Sequence, residues 1–218
     1  MIKKNKNGVV ETYFSHSDRM FPQIENGKIP TEQFLKACQA IADFVGFLGT
    51  AFIPVQKDIS GNVHKIRTKF ETNRIKFMYL DSLIDDDLLL NGGKLNVATE
   101  GLLWLKRGLE FMLEFLTAMV KQYRSSVDKS KTESLAGIIN EAYATTLRRH
   151  HGFISKQLFK VVILAAPYRS TILNTLAEGK KGIDDICIDH IEAHLDNFRK
   201  NVTYIVNYYV NKNLETPI

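Results

Sequence analysis

Apolar residues recur along most of this 218-residue chain at intervals of three and four, and the strict alternation of a half-buried strand is nearly absent. The spacing predicts a helix opening at Thr31-Glu-Gln, with Phe34, Ala37, Cys38, Ile41, Phe44, Val45 and Leu48 on one face and Gly49 as its stop. Pro54 introduces a second run through Ile59, Val63, Ile66 and Phe70, continued by Ile75, Met78, Tyr79 and Leu83. Asp85-Asp-Asp and Asn91-Gly-Gly read as a polar, glycine-bearing break before a long periodic segment from about Leu95 to Tyr123. Ser125 to Thr132 reads as loop. A helical pattern resumes from about Glu133 to Ala166, stops at Pro167, restarts briefly to Leu176, and after Gly179-Lys-Lys-Gly runs from about Ile183 to Asn211. Roughly eight helices with short connections and no internal repeat predict an all-α fold, packed in layers around one core as a single domain over residues 1–218.

Composition narrows the class. At 44% hydrophobic and 24% charged, the chain has the make-up of a globular domain, and a compact fold of this length buries about 70% of its unfolded surface. Cys38 and Cys187 have neither disulfide-framework nor metal-ligand spacing, which points to a reducing, cytoplasmic compartment. The first residues, Met-Ile-Lys-Lys-Asn-Lys-Asn-Gly, are charged but lead into no apolar run of the kind a secretory signal needs. The most apolar stretch, Gly101 to Val120, carries Lys106, Arg107, Glu110 and Glu114, which argues against a membrane span.

Net charge is 29 minus 24, or +5, and its placement is informative. Between Ala142 and Ala177 stand Arg148, Arg149, Lys156, Lys160 and Arg169 with no acidic residue, so this stretch holds the whole excess. Tyr143, Phe153, Phe159 and Tyr168 are interleaved with those bases, a mixture suited to an anionic membrane surface, a nucleic acid or a phosphorylated ligand, or simply to a solvated basic face.

Two constellations offer binding chemistry. On the helix after Pro54, Asp58, Asn62 and Lys65 stand at i, i+4 and i+7 and form one polar stripe beside the apolar face of Ile59, Val63 and Ile66. A carboxylate, an amide and an ammonium supply both donors and acceptors, as a polyhydroxylated ligand requires, although a plain surface stripe has the same pattern. Trp104, Gly108, Phe111 and Phe115 share another helix face, where the glycine permits close approach and the rings suit a flat or apolar partner, or an ordinary core. Among the histidines, helical phase places His151, rather than His150, inward with Leu147, Ser155 and Leu158. His190 and His194 lack the intervening glutamate of a metalloprotease, Asp85-Asp-Asp lacks a calcium loop's glycine and glutamate, and no nucleophile or acid–base pair stands in a catalytic setting.

Three separated segments then converge. Asp58-Ile-Ser-Gly-Asn-Val-His-Lys65, Trp104-Leu-Lys-Arg-Gly-Leu109, and His151-Gly-Phe-Ile through Ala165-Ala-Pro-Tyr168 closely resemble the glycolipid transfer protein family, in that family's order and about its spacing. The similarity spans roughly Pro30 to Asn207 and leaves residues 1–29 as a variable N-terminal segment. The resemblance implies a two-layer helical sandwich that holds one glycosphingolipid, works as a monomer without a cofactor, and contacts a membrane transiently. It implies head-group and amide contacts from Asp58, Asn62, Lys65, Trp104 and His151. The chains would occupy an apolar pocket including Phe52, Val55, Phe111, Phe115, Phe159 and Leu164, and Tyr143, Phe153, Lys156 and Tyr168 would contact the membrane. Two departures stand out: Phe153 replaces a frequent tryptophan, and the family's C-terminal tyrosine near the head group has no clear match at Tyr208 or Tyr209.

The expectation is therefore a non-enzymatic glycosphingolipid carrier that binds no nucleic acid. A carrier of ceramide-1-phosphate or another sphingolipid is the alternative within lipid binding, because a phosphate calls for several cations whereas Asn62 and Trp104 suit an uncharged sugar. The basic segment leaves a helical nucleic-acid-binding module as the alternative from another class.

Overall fold

A computed structural model describes residues 10–215. Among these, the chain forms eight α-helices: α1 (Thr31–Gly46), α2 (Ile53–Thr72), α3 (Leu80–Leu90), α4 (Val97–Ser125), α5 (Ala136–Thr145), α6 (Phe153–Leu164), α7 (Arg169–Leu176) and α8 (Asp184–Asn211). Extended pairing among the described residues is limited to isolated bridges such as Pro30 with Tyr79. Helices α2 and α4 pack directly on one another, with α1 backing α2 and α8 backing α4. The apolar stripes of all four meet in one continuous core that includes Phe34, Ile66, Leu116 and Phe198, each fully buried. No described helix is long and apolar enough to cross a membrane.

Two parts of the chain differ from the pattern-based expectation. Asp85-Asp-Asp lies inside α3 rather than in a break, because each carboxylate has its own partner. Asp85 accepts from Tyr208 (2.8 Å) and pairs with Lys212, while Asp86 pairs with Lys69 and Lys76. Asp87, 4% exposed, accepts from both the amide and the hydroxyl of Thr99 at 3.0 Å and so fixes the start of α4, which Asn96 and Thr99 cap reciprocally.

The expected single helix over residues 133–166 is two helices. The Thr145 and Thr146 hydroxyls both donate to the Ala142 carbonyl (3.1 and 2.6 Å), ending α5, and Gly152 caps a new start for α6. Between them Arg148–His150 form a single tight turn and His151 is extended, with φ −90° and ψ 129°. The stretch before α1 also contributes to the core. Phe21 stacks on Phe198 with centroids 4.3 Å apart, and the Tyr13 hydroxyl donates to the Ala40 carbonyl at 2.8 Å. The charged start of the chain lies outside the described residues.

Candidate lipid-binding site

Pro54 near the start of α2 sets a helix whose inner face, Ile59, Val63 and Ile66, is buried in the core. One residue before each of those positions stand Asp58, Asn62 and Lys65, which therefore emerge along the rim where α2 meets α4. Asn62 is 3% exposed, and its side-chain oxygen accepts from Lys65 Nζ at 3.1 Å. The two helices approach closely here: a β-carbon at Gly101 would lie 3.2 Å from the Lys65 side chain, so the glycine lets the lysine stem cross α4. One turn further along α4, Trp104 is half-buried, with the Arg107 guanidinium 4.6 Å from its ring centroid.

These groups border one cavity of about 550 Å³. Asp58, Asn62, Lys65, Trp104, His150 and His151 form its polar part, and Val55, Phe111, Met112, Leu158, Phe159 and Val162 its apolar part. A β-carbon at Gly108 would meet nothing within 4 Å, because that face of α4 looks onto the cavity. Behind lies an apolar seam bounded by Phe52, Phe115, Ile139 and Ile172 together with the shared Val55, Phe111 and Phe159. The seam holds an open volume of only about 10 Å³, no more than the ~10–15 Å³ that a single water molecule needs, so its aromatic walls are closed on each other. A broader groove of about 690 Å³ beside α1 carries Asp18, Arg19, Lys36, Asp43 and Arg67 and shares no lining residue with the seam.

Electrostatically the mouth is close to neutral. Burial raises the Asp58 carboxyl above its ordinary 3.8, opposed by the Lys65 ammonium, by His151 and by the neighbouring Asn62 amide. Burial lowers His151, with the Asp58 carboxylate opposing. His150 is pushed down to about 4 by burial, reinforced by the Arg107 guanidinium, and its Nε2 accepts from Arg149 Nε at 2.9 Å. Both imidazoles are uncharged at neutral pH and present hydrogen-bonding groups rather than cations.

Some expected positions fall elsewhere. Tyr143 is not at the surface: it is 6% exposed, stacks on Phe159 at 3.8 Å and shares a 3.2 Å hydrogen bond with His151 Nδ1. It braces the back of the cavity. Leu164 is not in the pocket; at 88% exposure it stands outside, at the last turn of α6. The helical-phase argument separating His151 from His150 fails because neither belongs to an α-helix, and both line the cavity. Phe153, Lys156 and Tyr168 are exposed. Of the five bases counted together, Arg169 is buried and bound to Glu133, Thr132 and the Lys129 carbonyl, so it belongs to the core. Tyr208 and Tyr209 donate to Asp85 and the Thr99 carbonyl, and neither lines the cavity.

The model of the family described as "Glycolipid transfer protein (GLTP)" matches residues 29–178, which contain the whole polar mouth and the apolar seam. The chain belongs to the glycolipid transfer protein family. The zebrafish (Danio rerio) glycolipid transfer protein is 30% identical over 203 residues, 92% of this chain and 95% of its own length. The human pleckstrin homology domain-containing family A member 8 is 37% identical over 164 residues, 73% of this chain but only 30% of that longer protein. Among solved structures, the GLTP-fold of FAPP2, described as selecting simple glycosphingolipids, superposes with a TM-score of 0.82 at 30% identity and covers 94% of this chain and 98% of that one. Human ceramide-1-phosphate transfer protein reaches 0.75 at 14% identity over 94% and 97% of the two chains, a likeness of fold alone. The two-layer helical sandwich of this GLTP-family chain is thus the family's fold.

Proposed function

We propose that this GLTP-family chain is a non-enzymatic carrier that binds one glycosphingolipid and moves it between membranes. The observation that carries the reading is a polar mouth of Asp58, Asn62, Lys65 and Trp104 whose apolar walls, Val55, Phe111 and Phe159, are also the walls of the closed seam that Phe52 and Phe115 continue behind it. A sugar at the mouth meets donors, acceptors and an aromatic plate, His151 lies within reach of the ceramide amide, and the chains replace aromatic contacts within the seam. Moving a lipid chain of about 16 carbons through water costs on the order of 12 kcal/mol at about 0.8 kcal/mol per methylene, so an apolar shelter at the bilayer surface removes most of the barrier to desorption.

Docking on the bilayer falls to the outer face of α6. Phe153 (78% exposed), Ile154, Val161 and Leu164 stand beside Lys156 and Lys160, with Tyr168 nearby. Among the described residues no carboxylate lies within ion-pair distance of Arg148, Arg149, Lys156 or Lys160. Apolar side chains ringed by free cations suit the interface of an anionic membrane, and the carrier works as a monomer in the cytoplasm. The test follows labelled glucosyl- and galactosylceramide between vesicles, with ceramide-1-phosphate and phosphatidylcholine as controls. Faster movement of the glycolipids alone supports the reading, and transfer of none of them, or tight salt-sensitive RNA binding without vesicle binding, overturns it.

A further inference from the structure

The segment after α8 folds back onto α4 beside Trp104. Asn213, at φ 55°, reverses the chain, and the Leu214 amide donates to the Tyr209 carbonyl at 2.9 Å, closing the helix end. This directs Glu215 inward. Its carboxylate takes both arms of the Arg107 fork (Nε 2.9 Å, Nη2 3.0 Å) and lies 3.2 Å from Lys106 Nζ. The three side chains are 6%, 12% and 1% exposed, and Lys106 also pairs with Glu110 at 3.2 Å. Two cations and two carboxylates thus make a neutral, largely desolvated cluster. Through Arg107 the cluster touches the Trp104 ring, and Trp104 lines the mouth.

A guanidinium fork fits the oxygens of a carboxylate, a phosphate or a sulfate in the same bidentate way. We propose that Glu215 is a specificity-determining residue, an internal counter-anion that occupies the Arg107 fork and thereby excludes sphingolipids whose head group bears phosphate or sulfate. The proposal rests on the carrier reading above. With Glu215 in place, an anionic head group beside Trp104 meets a carboxylate already seated on its natural partner. With the carboxylate neutralised, Lys106 and Arg107 face only Glu110, and one uncompensated positive charge borders the mouth. An uncharged sugar does not compete for the fork in either state.

The experiment compares the full chain with Glu215→Gln, which keeps the shape and one acceptor oxygen but removes the charge and the second acceptor that the Arg107 fork needs. Transfer between phosphatidylcholine vesicles is measured for galactosylceramide, ceramide-1-phosphate and sulfated galactosylceramide, and the readout is the ratio of anionic to neutral transfer. That ratio should rise about tenfold in Glu215→Gln, as expected for opening a buried charge-assisted site, and fall back when Arg107→Gln is added. If Glu215→Gln does not fold by circular dichroism, Glu215→Asp, whose shorter arm cannot span the fork and Lys106 together, should raise the ratio by about threefold. An unchanged ratio in a folded variant overturns the proposal, as does a rise that persists with Arg107→Gln. A native chain that moves no galactosylceramide overturns the carrier reading instead, independently of what Glu215 does.

Discussion

Replacing Asp58 by valine probes head-group recognition most directly. The side chain sits on the rim of α2, while the packing of that helix is carried by Ile59, Val63 and Ile66, which are 3%, 2% and 0% exposed, so the variant should remain folded. What it loses is an acceptor at the point where a sugar hydroxyl and the ceramide amide proton would arrive. Each donor left unpaired in a desolvated mouth costs about 1–3 kcal/mol, and Asp58 is open enough to solvent that the lower end applies. Two such groups amount to about 2 kcal/mol, or about 30-fold in affinity at 1.4 kcal/mol per decade. Lys65, which lowers the Asp58 pKa, would also lose its charge partner across the mouth. Vesicle-to-vesicle transfer of galactosylceramide measures the loss, with circular dichroism as the check on folding. Asp58→Asn, which keeps one acceptor oxygen, should fall between the native chain and the valine variant. Native transfer rates in a folded Asp58→Val would refute the assignment of this carboxylate to the head group.

Three further outcomes follow from the same geometry. Gly108→Leu should keep or slightly raise the melting temperature, since glycine within a helix costs about 0.5–1 kcal/mol relative to alanine, but should abolish transfer by filling the open face of α4; undiminished transfer would show that the ligand does not use this cavity. Phe153→Ala should slow transfer several-fold while leaving glycolipid binding in detergent intact, whereas equal loss of both would place Phe153 in the ligand site rather than on the docking face. His194, fully buried among Phe14, Phe21 and Phe198, has its pKa pushed down by burial to about 4 from 6.5. Because the native value is the depressed one, its contribution is fully present above pH 6.5 and is lost as pH falls toward 4, by on the order of 3 kcal/mol in all. His194→Phe should therefore flatten the drop in melting temperature between pH 7 and pH 5, and an unaltered drop would refute this origin of acid sensitivity.

The long amphipathic helices were legible because their burial follows one period: the stripes of α1, α4 and α8 in the sequence are the stripes that face the core. The polar mouth was legible in part. Asp58, Asn62 and Lys65 could be placed on one side of a helix, but their meeting with Trp104 depends on the α2–α4 crossing at Gly101, which no local spacing encodes. Residues 133–166 misled because Tyr143, Leu147, Phe159 and Val162 all face inward from two helices and the segment between them, so inward-facing positions imitate a single period across a break in the backbone. Glu215 carried no signal: a lone acidic residue after the last helix acquires meaning only when Asn213 turns it toward Lys106 and Arg107.

The distribution of charge resolves a conflict inherent in this kind of carrier. Approaching an anionic bilayer calls for positive potential, yet a cationic binding mouth would capture phosphate head groups, which are far more abundant at such a surface than neutral glycolipids. In this chain the two demands are met in different places. Lys106 and Arg107 are held by Glu110 and Glu215 and Arg169 by Glu133, while Lys65 donates to the Asn62 side-chain oxygen and interacts electrostatically with Asp58, so Lys106, Arg107 and Arg169 are already matched. Arg148, Arg149, Lys156 and Lys160 remain unmatched within the described residues, on the turn before α6 and on α6 itself, next to Phe153 and Ile154. The net +5 of the chain is therefore carried mainly by the turn before α6 and by α6 itself, the face proposed above for docking. Raising salt should accordingly weaken vesicle docking while leaving the selectivity for neutral head groups unchanged, because the Debye length of about 8 Å at physiological ionic strength screens the exposed bases but not the buried Arg107–Glu215 pair. Selectivity that collapsed together with docking as salt rose would mean that surface charge, and not the closed cluster beside Trp104, decides which lipid is carried.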